Sequence, residues 1–510
     1  MSSKSLSTLP LEVLNNIMQH LHYLTQPELL KTAFIDIPGS CLCSYTKKRY
    51  LHTIEHLTEY SRIVKTISIC DNIFLSQLEP NRAPNWDKEL LGGLSETIQR
   101  LLKLENFKFS PKNLKNAAAN NWLPDLWTAL SSLKSLAIMD IIIPHTLPEN
   151  IYFTSLHTLR LYIRPGSLPR TLPLMPQLTH LTLNFDRGVH SIHQNRVHGF
   201  ISSQTTPKLS NLHIQDNEFV LEMFDQISFV KPEVISFCNC GAISTTLISL
   251  LSVNLEILTL KFCFLTSDST EIISLPRLRQ LNILRCDGND DQFWLQFLDC
   301  PTLYSLTFLS ILKRPAVQLA LALFLERSKQ TLEVFSLGNK SKSHNDENEN
   351  ILITDLFISI LGLTNIRFLV LRDRSMLTLR MLAKLVQSTK LSGLALTLDG
   401  KNHDPKDLWP NFYNLKAMFS PDLQYLWLHT GWINIESDDA DQLISDWEAA
   451  SQTCQQTPTL CQLSIEGQAY MVGTCMSVHG PRLRPVFLGQ VPISSYHRKI
   501  NAKIWLNNVR

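Results

Sequence analysis

Along residues 254–286, NLEILTLKFCFLTSDSTEIISLPRLRQLNILRC, apolar positions return at offsets that repeat after 23 residues. Leu255, Leu258, Leu260 and Cys263 are answered by Leu278, Leu281, Ile283 and Cys286, with polar or variable residues between them. Alternation over Leu258–Leu260 predicts a short strand with one buried side, and the short interval demands a tight return before the next strand. The same step backwards reaches Cys240, behind Ile235 and Phe237, with Pro232 in the first leucine place. A further step reaches Asn217, behind Leu209, Leu212 and Ile214. One slot thus holds Asn, Cys, Cys and Cys in successive units.

The phrase L-x-x-L-x-L-x-x-[N/C] is that of a leucine-rich repeat, in which each unit supplies a strand and a small buried side chain sits in the bend that leaves it. Free cysteine suits that slot as a compact hydrophobe, so Asn217, Cys240, Cys263 and Cys286 are read as a structural ladder. A zinc cluster would need paired C-x-x-C spacing, whereas the chain offers only the C-x-C steps Cys41/Cys43 and Cys238/Cys240.

The shorter form L-x-x-L-x-L recurs from Leu133, Leu156, Leu178, Leu303, Leu332, Ile366, Leu391, Leu423 and Leu460, with an outlying match at Val64. Spacing is regular in the middle and looser towards the end. Longer units leave room for an outer helix, which VQLALALFLERS from Val317 predicts by composition and length. The polar stretch 338–350, GNKSKSHNDENEN, reads as a disordered insertion between turns. The expected fold class is α/β, a right-handed solenoid of horseshoe form with a parallel concave sheet. The third, fifth and seventh positions of each phrase would face the concavity. Most are small, but Thr158, Arg160 and Tyr162, then Phe368, Val370 and Arg372, then Tyr425, Trp427 and His429 are large or charged. Aromatic residues and arginine dominate binding hot spots, which makes Arg160, Tyr162, Phe368, Arg372, Tyr425, Trp427 and His429 the candidate substrate-binding residues. Packing of the tail over them is the alternative.

The first residues differ in period. In LSTLPLEVLNNIMQHLHYLTQPELLKTAF, Leu14, Ile17, Met18 and Leu21 share a helix face, Pro10 suits the first turn, and a second short helix carries Leu29 and Leu30. The order Leu9-Pro10-x-Glu12-Val13-Leu14, followed by Ile17 and Leu21 and then Glu28-Leu29-Leu30, resembles the F-box over about the first 35 residues. With the repeats behind it, the chain resembles the F-box/leucine-rich-repeat family, of the cysteine-containing repeat type, and its ragged units resemble divergent members such as those of fungi. It departs from the family where a third helix is usual: FIDIPGSCLCSYTKKRYLHTI is interrupted by Pro38-Gly39.

The resemblance implies that Leu9, Pro10, Val13, Leu14, Ile17, Leu21 and Leu29 dock on a Skp-type adaptor and through it on a cullin. The repeats would hold a protein substrate, and the chain, monomeric within the complex, would be the substrate-recognition subunit of an SCF ubiquitin ligase. The alternatives are an N-terminal helical cap of the solenoid and a repeat scaffold or inhibitor, such as a GTPase regulator, outside any ligase. The domain plan is an F-box over 1–50, then 51–130 as linker with N-terminal cap or degenerate repeats. The solenoid follows over 131–475, and a basic tail or cap over 476–510.

Composition narrows the picture. Lys+Arg 47 against Asp+Glu 45 makes no broad case for nucleic acid or membrane binding, so no nucleic-acid or membrane partner is expected. No apolar run reaches the length of about 20 residues that spans a bilayer. The first residues show neither the continuous apolar core nor the small-residue cleavage site of a secretory signal, and with 11 cysteines in 510 residues a reducing compartment, cytoplasmic or nuclear, is expected. Nothing in the chain matches a P-loop, G-x-G-x-x-G, G-x-S-x-G or H-E-x-x-H motif, so no enzyme activity and no cofactor or metal is expected. His20 and His22 stand two apart on different helix faces, and Asp438, Asp439 and Asp441 read as the acidic first turn of a helix.

Overall fold

The computed structural model describes residues 32–37, 64–71, 88–110, 123–143, 151–163, 172–185, 201–216, 232–266, 271–288, 294–310, 315–339, 354–371, 391–397, 425–429, 462–465, 468–477 and 480–487. The chain forms two compact units, Met1–Pro232 and Glu233–Arg510.

In the first unit, strands β1 (Thr32–Ile37), β2 (Thr66–Asp71), β3 (Asn106–Ser110), β4 (Ile138–Ile143), β5 (Thr158–Ile163), β6 (His180–Phe185) and β7 (Asn211–Gln215) pair in parallel, in chain order. Their register stacks like on like. Ile67, Phe107, Met139, Leu159, Leu181 and Leu212 form one continuous buried row. Each such side chain contributes roughly 1.5–3 kcal/mol by leaving water, and the row exists only because every unit repeats the same apolar offsets. The helices Lys88–Arg100 and Leu123–Ser131 fill the longer returns, burying Leu94, Ile98, Leu126, Trp127 and Leu130.

The register corrects two readings of the sequence. The unit taken to begin at Leu133 begins at Leu136, because Met139 and Ile141 are the buried strand residues and Ile138 is 41% exposed. A further unit begins at Leu104, with Phe107 and Phe109 in the places of leucine, all three buried. The strands β2 and β3 therefore lie in the segment planned as linker, cap or degenerate repeats. β1 lies inside the segment planned as F-box, so parallel pairing already begins at Thr32.

In the second unit, Val234–Cys238, Ile257–Lys261, Gln280–Leu284, Ser305–Ser310, Val334–Asn339, Phe368–Leu371, Gly393–Thr397, Tyr425–His429 and Gln462–Ile465 pair in parallel in chain order. Two antiparallel strands, Gln468–Ser477 and Gly480–Phe487, then close the ladder. The boundary planned at 475/476 falls inside the first of them. The outermost strand carries Pro481, Arg482, Arg484 and Pro485, residue types that discourage further edge pairing. The helix predicted from Val317 spans Pro315–Ser328, with proline at its first position and Val317, Leu321, Phe324 and Leu325 buried. Gly338 and Asn339, planned as the start of a disordered insertion, are strand residues opposite Leu309 and Ser310; residues 340–350 lie outside the described residues.

Two small ladders hold the turns together. Where the strand ends, Asp216, Asn239, Phe262 and Arg285 adopt positive φ of 57°, 51°, 54° and 54°, one per 23-residue unit. This left-handed step aims the bend's N–H along the stack. Asn239 N–H donates to the Lys261 carbonyl at 2.7 Å and Phe262 N–H to that of Leu284 at 2.9 Å. The next residue then turns inward, which is why a small one is needed. Cys240, Cys263 and Cys286 are 5%, 2% and 1% exposed. The Cys263 thiol lies 3.4 Å from the Lys261 carbonyl and 3.5 Å from that of Phe237, and Cys286 lies 3.7 Å from the Leu284 carbonyl. Each thiol is thus a weak donor over the end of its own strand, in the place where a leucine would not fit.

Where the strand begins, hydroxyls do the corresponding work. Ser135 donates to the Leu104 carbonyl at 2.8 Å, Ser155 to that of Leu136 at 3.0 Å and Thr302 to that of Leu278 at 3.2 Å. In each case the residue before the first leucine reaches the first leucine of the preceding unit. The result is a mixed α/β fold with long runs of parallel strands, that of leucine-rich-repeat type. No described helix is long and apolar enough to cross a membrane.

Candidate interaction face

In the strands from β2 to β7 and from Val234–Cys238 to Phe368–Leu371, alternate residues are committed to the core, and the third, fifth and seventh positions of these units form the open face. In the first unit the fifth positions of β2 to β6 are Ser68, Lys108, Asp140, Arg160 and Thr182, brought side by side by the parallel register. Ile138 precedes Asp140 by two residues on β4 and is 41% exposed; Tyr162 follows Arg160 by two on β5 and is 39% exposed. The face therefore carries a charge row of alternating sign with an apolar residue at either corner.

Asp140 is the unusual member. Its residue is 8% exposed, and its Oδ1 is buried with no hydrogen-bond partner. Lys108 and Arg160, on the strands to either side, are both exposed and neither closes an ion pair on it among the described residues. Burial raises the Asp140 carboxyl above the usual carboxylate range, although Lys108 and Arg160 both pull it down. An acceptor out of water without a donor costs more than two cations at a distance return.

The open face of the second unit is more nearly self-satisfied. Asn282 donates to Thr259 Oγ1 at 3.0 Å and accepts from Gln280 at 3.3 Å. Ser305 and Ser336 are small and buried, and Ser336 Oγ lacks a partner. Phe368 and Val370 are half-buried. The register puts Phe368 and Tyr425 on either side of Gly393, and Val370 and Trp427 on either side of Ala395, with His429 opposite Thr397. At the bend beside this face, the ring of Phe262, 40% exposed, lies under Lys261 Nζ at 5.5 Å and Arg285 Cζ at 5.0 Å.

Of the residues singled out in the sequence, Arg160 and Tyr162 share β5 in the first unit, while Phe368, Tyr425, Trp427 and His429 share a run of strands in the second. Leu9, Pro10, Val13, Leu14, Ile17, Leu21, Leu29, Asn217 and Arg372 lie outside the described residues, as do His20, His22, Asp438, Asp439 and Asp441. Lys108 and Asp140 were missed in the sequence because their units were misplaced: the phrase from Leu104 was hidden by phenylalanines, and the phrase from Leu133 began three residues early. Placing the phrases by Phe107 and Met139 would have exposed both residues.

The buried thiols of Cys286 and Cys300 are held protonated. Hydrogen bonding to Cys263 and then burial push the Cys286 thiol up, and burial foremost, then Asp299, pushes up that of Cys300. Among the described residues no three His, Cys, Asp or Glu side chains gather as metal ligands would.

No protein-family model matches the chain, and no curated protein matches it either. Among solved structures, the chain is similar to the protein in "Crystal structure of TLR13-ssRNA13 complex", at 15% identity and a TM-score of 0.35, over 85% of this chain and 62% of that one. The chain thus spans less than two thirds of the length of that neighbour.

Proposed function

We propose that this chain is a non-catalytic interaction scaffold whose open sheet faces hold a protein ligand, and that it serves as the substrate-recognition subunit of a Skp-cullin-F-box ubiquitin ligase. The scaffold reading is carried by the open face of the first unit. Exposed Lys108, Arg160, Tyr162 and Ile138 surround a buried carboxylate oxygen that lacks a donor, an arrangement that gains from a partner and loses without one. The ligase reading is supported by the segment Leu9-Pro10-x-Glu12-Val13-Leu14 ahead of the repeats. In that reading, Leu9, Pro10, Val13, Leu14, Ile17, Leu21 and Leu29 dock on a Skp-type adaptor, which connects to a cullin, and transfer of ubiquitin is done by an enzyme elsewhere in the assembly.

The start of β1 at Thr32 sharpens the experiment. The full chain, a Leu9→Ala/Pro10→Ala variant and a deletion of residues 1–31 are co-purified with a Skp-type adaptor. Capture by the full chain, lost in both variants while circular dichroism shows the repeats folded, is the expected result. A folded chain that captures no adaptor overturns the ligase role and leaves a scaffold.

A further inference from the structure

We propose that the open face of β3–β5 is the docking site for a partner helix bearing the pattern acidic, basic, acidic on successive turns, its central Arg or Lys seated on Asp140 and its two carboxylates on Lys108 and Arg160. This rests on the scaffold reading above and names the chemistry of the partner.

An ionised carboxylate only accepts hydrogen bonds, and although Oδ1 itself is buried, Asp140 keeps 8% of its surface open between Lys108 and Arg160, where an arginine or lysine side chain from outside can meet the carboxylate's charge. Lys108 and Arg160 stand in register on either side, exposed and uncommitted to Asp140, and each calls for an anion. The alternation excludes simpler ligands. A single phosphate or nucleic-acid backbone bridging the two cations would have to lie over the carboxylate between them. A purely cationic segment that satisfied Asp140 would meet a like charge on both sides.

Spacing selects the helix. Adjacent strands stand about 4.8 Å apart, and successive turns of an α-helix rise about 5.4 Å. Residues at i, i+3 and i+7 of a helix lying across the strands therefore meet Lys108, Asp140 and Arg160 one to one. Alternate residues of an extended segment, about 6.6 Å apart, fall out of step by the third charge. Ile138 and Tyr162, exposed at diagonal corners of the row, provide apolar ground for the flanks of such a helix.

The test uses the full chain and three helical peptides measured by fluorescence anisotropy: one built on Glu-x-x-Arg-x-x-x-Glu, one with every charge reversed, and one with the same residues scrambled. The matched peptide is expected to bind, with affinity that falls as salt rises, and the other two to bind at least tenfold more weakly. Asp140→Asn, which keeps the shape and relieves the buried charge, is expected to weaken the matched peptide at least tenfold. The double variant Lys108→Glu/Arg160→Glu is expected to lose it. Equal binding of all three peptides, unaltered binding by folded Asp140→Asn, or no binding by the intact chain overturns the proposal. Adaptor capture by the same preparations separates the two readings. Capture retained with no peptide bound removes the docking site alone, and peptide bound without capture removes the ligase role alone.

Discussion

Replacing Asp140 by asparagine should make the repeat stack more stable at neutral pH, although it removes a side chain of the candidate binding face. The oxygen at issue is buried and unpaired, and a buried group of this kind typically costs about 1–3 kcal/mol. Lys108 and Arg160 recover part of that by attraction, but the carboxyl still sits above its ordinary value of 3.8, so burial outweighs them. The sign of the pH dependence follows. Because the folded pKa is raised, the native state binds more protons than the unfolded chain between 3.8 and the higher native value, and stability falls as pH rises through that window. Above the window the full cost is present, and below 3.8 it is gone. Asp140→Asn keeps a neutral acceptor oxygen in that place but abolishes the cost of burying the charge at every pH, so the variant should gain roughly 1 kcal/mol at pH 7 and lose that advantage as the parent chain becomes protonated. A repeat stack opens locally, so hydrogen exchange of β3–β5 is the suitable assay. A gain of this size slows exchange by a factor of about five. Lys108→Ala should act in the opposite direction, since it takes away one of the two attractions. Faster exchange in Asp140→Asn at pH 7, or a gain that persists undiminished below pH 4, refutes the reasoning.

Other consequences are more local. Asn239, at φ 51°, should accept glycine with a change within about 0.5 kcal/mol, whereas Asn239→Val should lose about 1–2 kcal/mol in urea unfolding, because a β-branched residue tolerates the left-handed region poorly. Phe237→Ala should cost about 3–5 kcal/mol by opening a cavity in the core, while Leu319→Ala, on the exposed side of its helix, should stay within about 0.5 kcal/mol by the same measurement. Labelling of native chain with a thiol reagent near pH 8, read by peptide mapping, should modify Cys238, which is half-exposed, well before Cys240, Cys263, Cys286 and Cys300, which should react only on unfolding. Early modification of Cys263 would contradict its role as a buried strand-end donor.

Much of the repeat frame was legible in the sequence because the code is redundant. A unit whose leucines recur at Leu156, Leu159 and Leu161, or at Leu255, Leu258 and Leu260, declares its strand, its buried side and its neighbours at once, and all six residues are buried. The frame is ambiguous where that redundancy thins. Phe107 and Phe109 fill the core as well as leucine does but break a leucine-based pattern. Leu133 and Leu136, three residues apart, compete to begin the phrase, and only the pairing of Met139 with Leu159 and of Ile141 with Leu161 decides between them. The helix turn before β4 supplies Leu133 to the core, so an extra apolar residue mimics the repeat. Left-handed bends at Phe262 and Arg285 were not legible at all, since neither residue type favours that conformation and the stack imposes it.

The slip in register hid the most informative residues on the face, and the reason is general to such stacks. Core positions are recognised by sameness from unit to unit, whereas positions on the open face are free to differ, so any error in the frame falls on the functional side. On the open face of the second unit Asn282, Gln280 and Thr259 satisfy one another, small residues Gly393 and Ala395 separate the larger ones, and the one unpartnered group named there, Ser336 Oγ, is a neutral hydroxyl. In the first, Asp140 breaks the rule that buried acceptors are paired, with cations beside it that do not close on it. A residue that lowers the stability of its own stack, yet sits in line with exposed charges on the side not needed for folding, is explained by what approaches that face. Measured together, a stability gain and a binding loss in Asp140→Asn would show that trade directly. A stability gain with binding unchanged would leave Asp140 as a flaw in the sheet and return the search to Phe368, Tyr425 and Trp427 in the second unit.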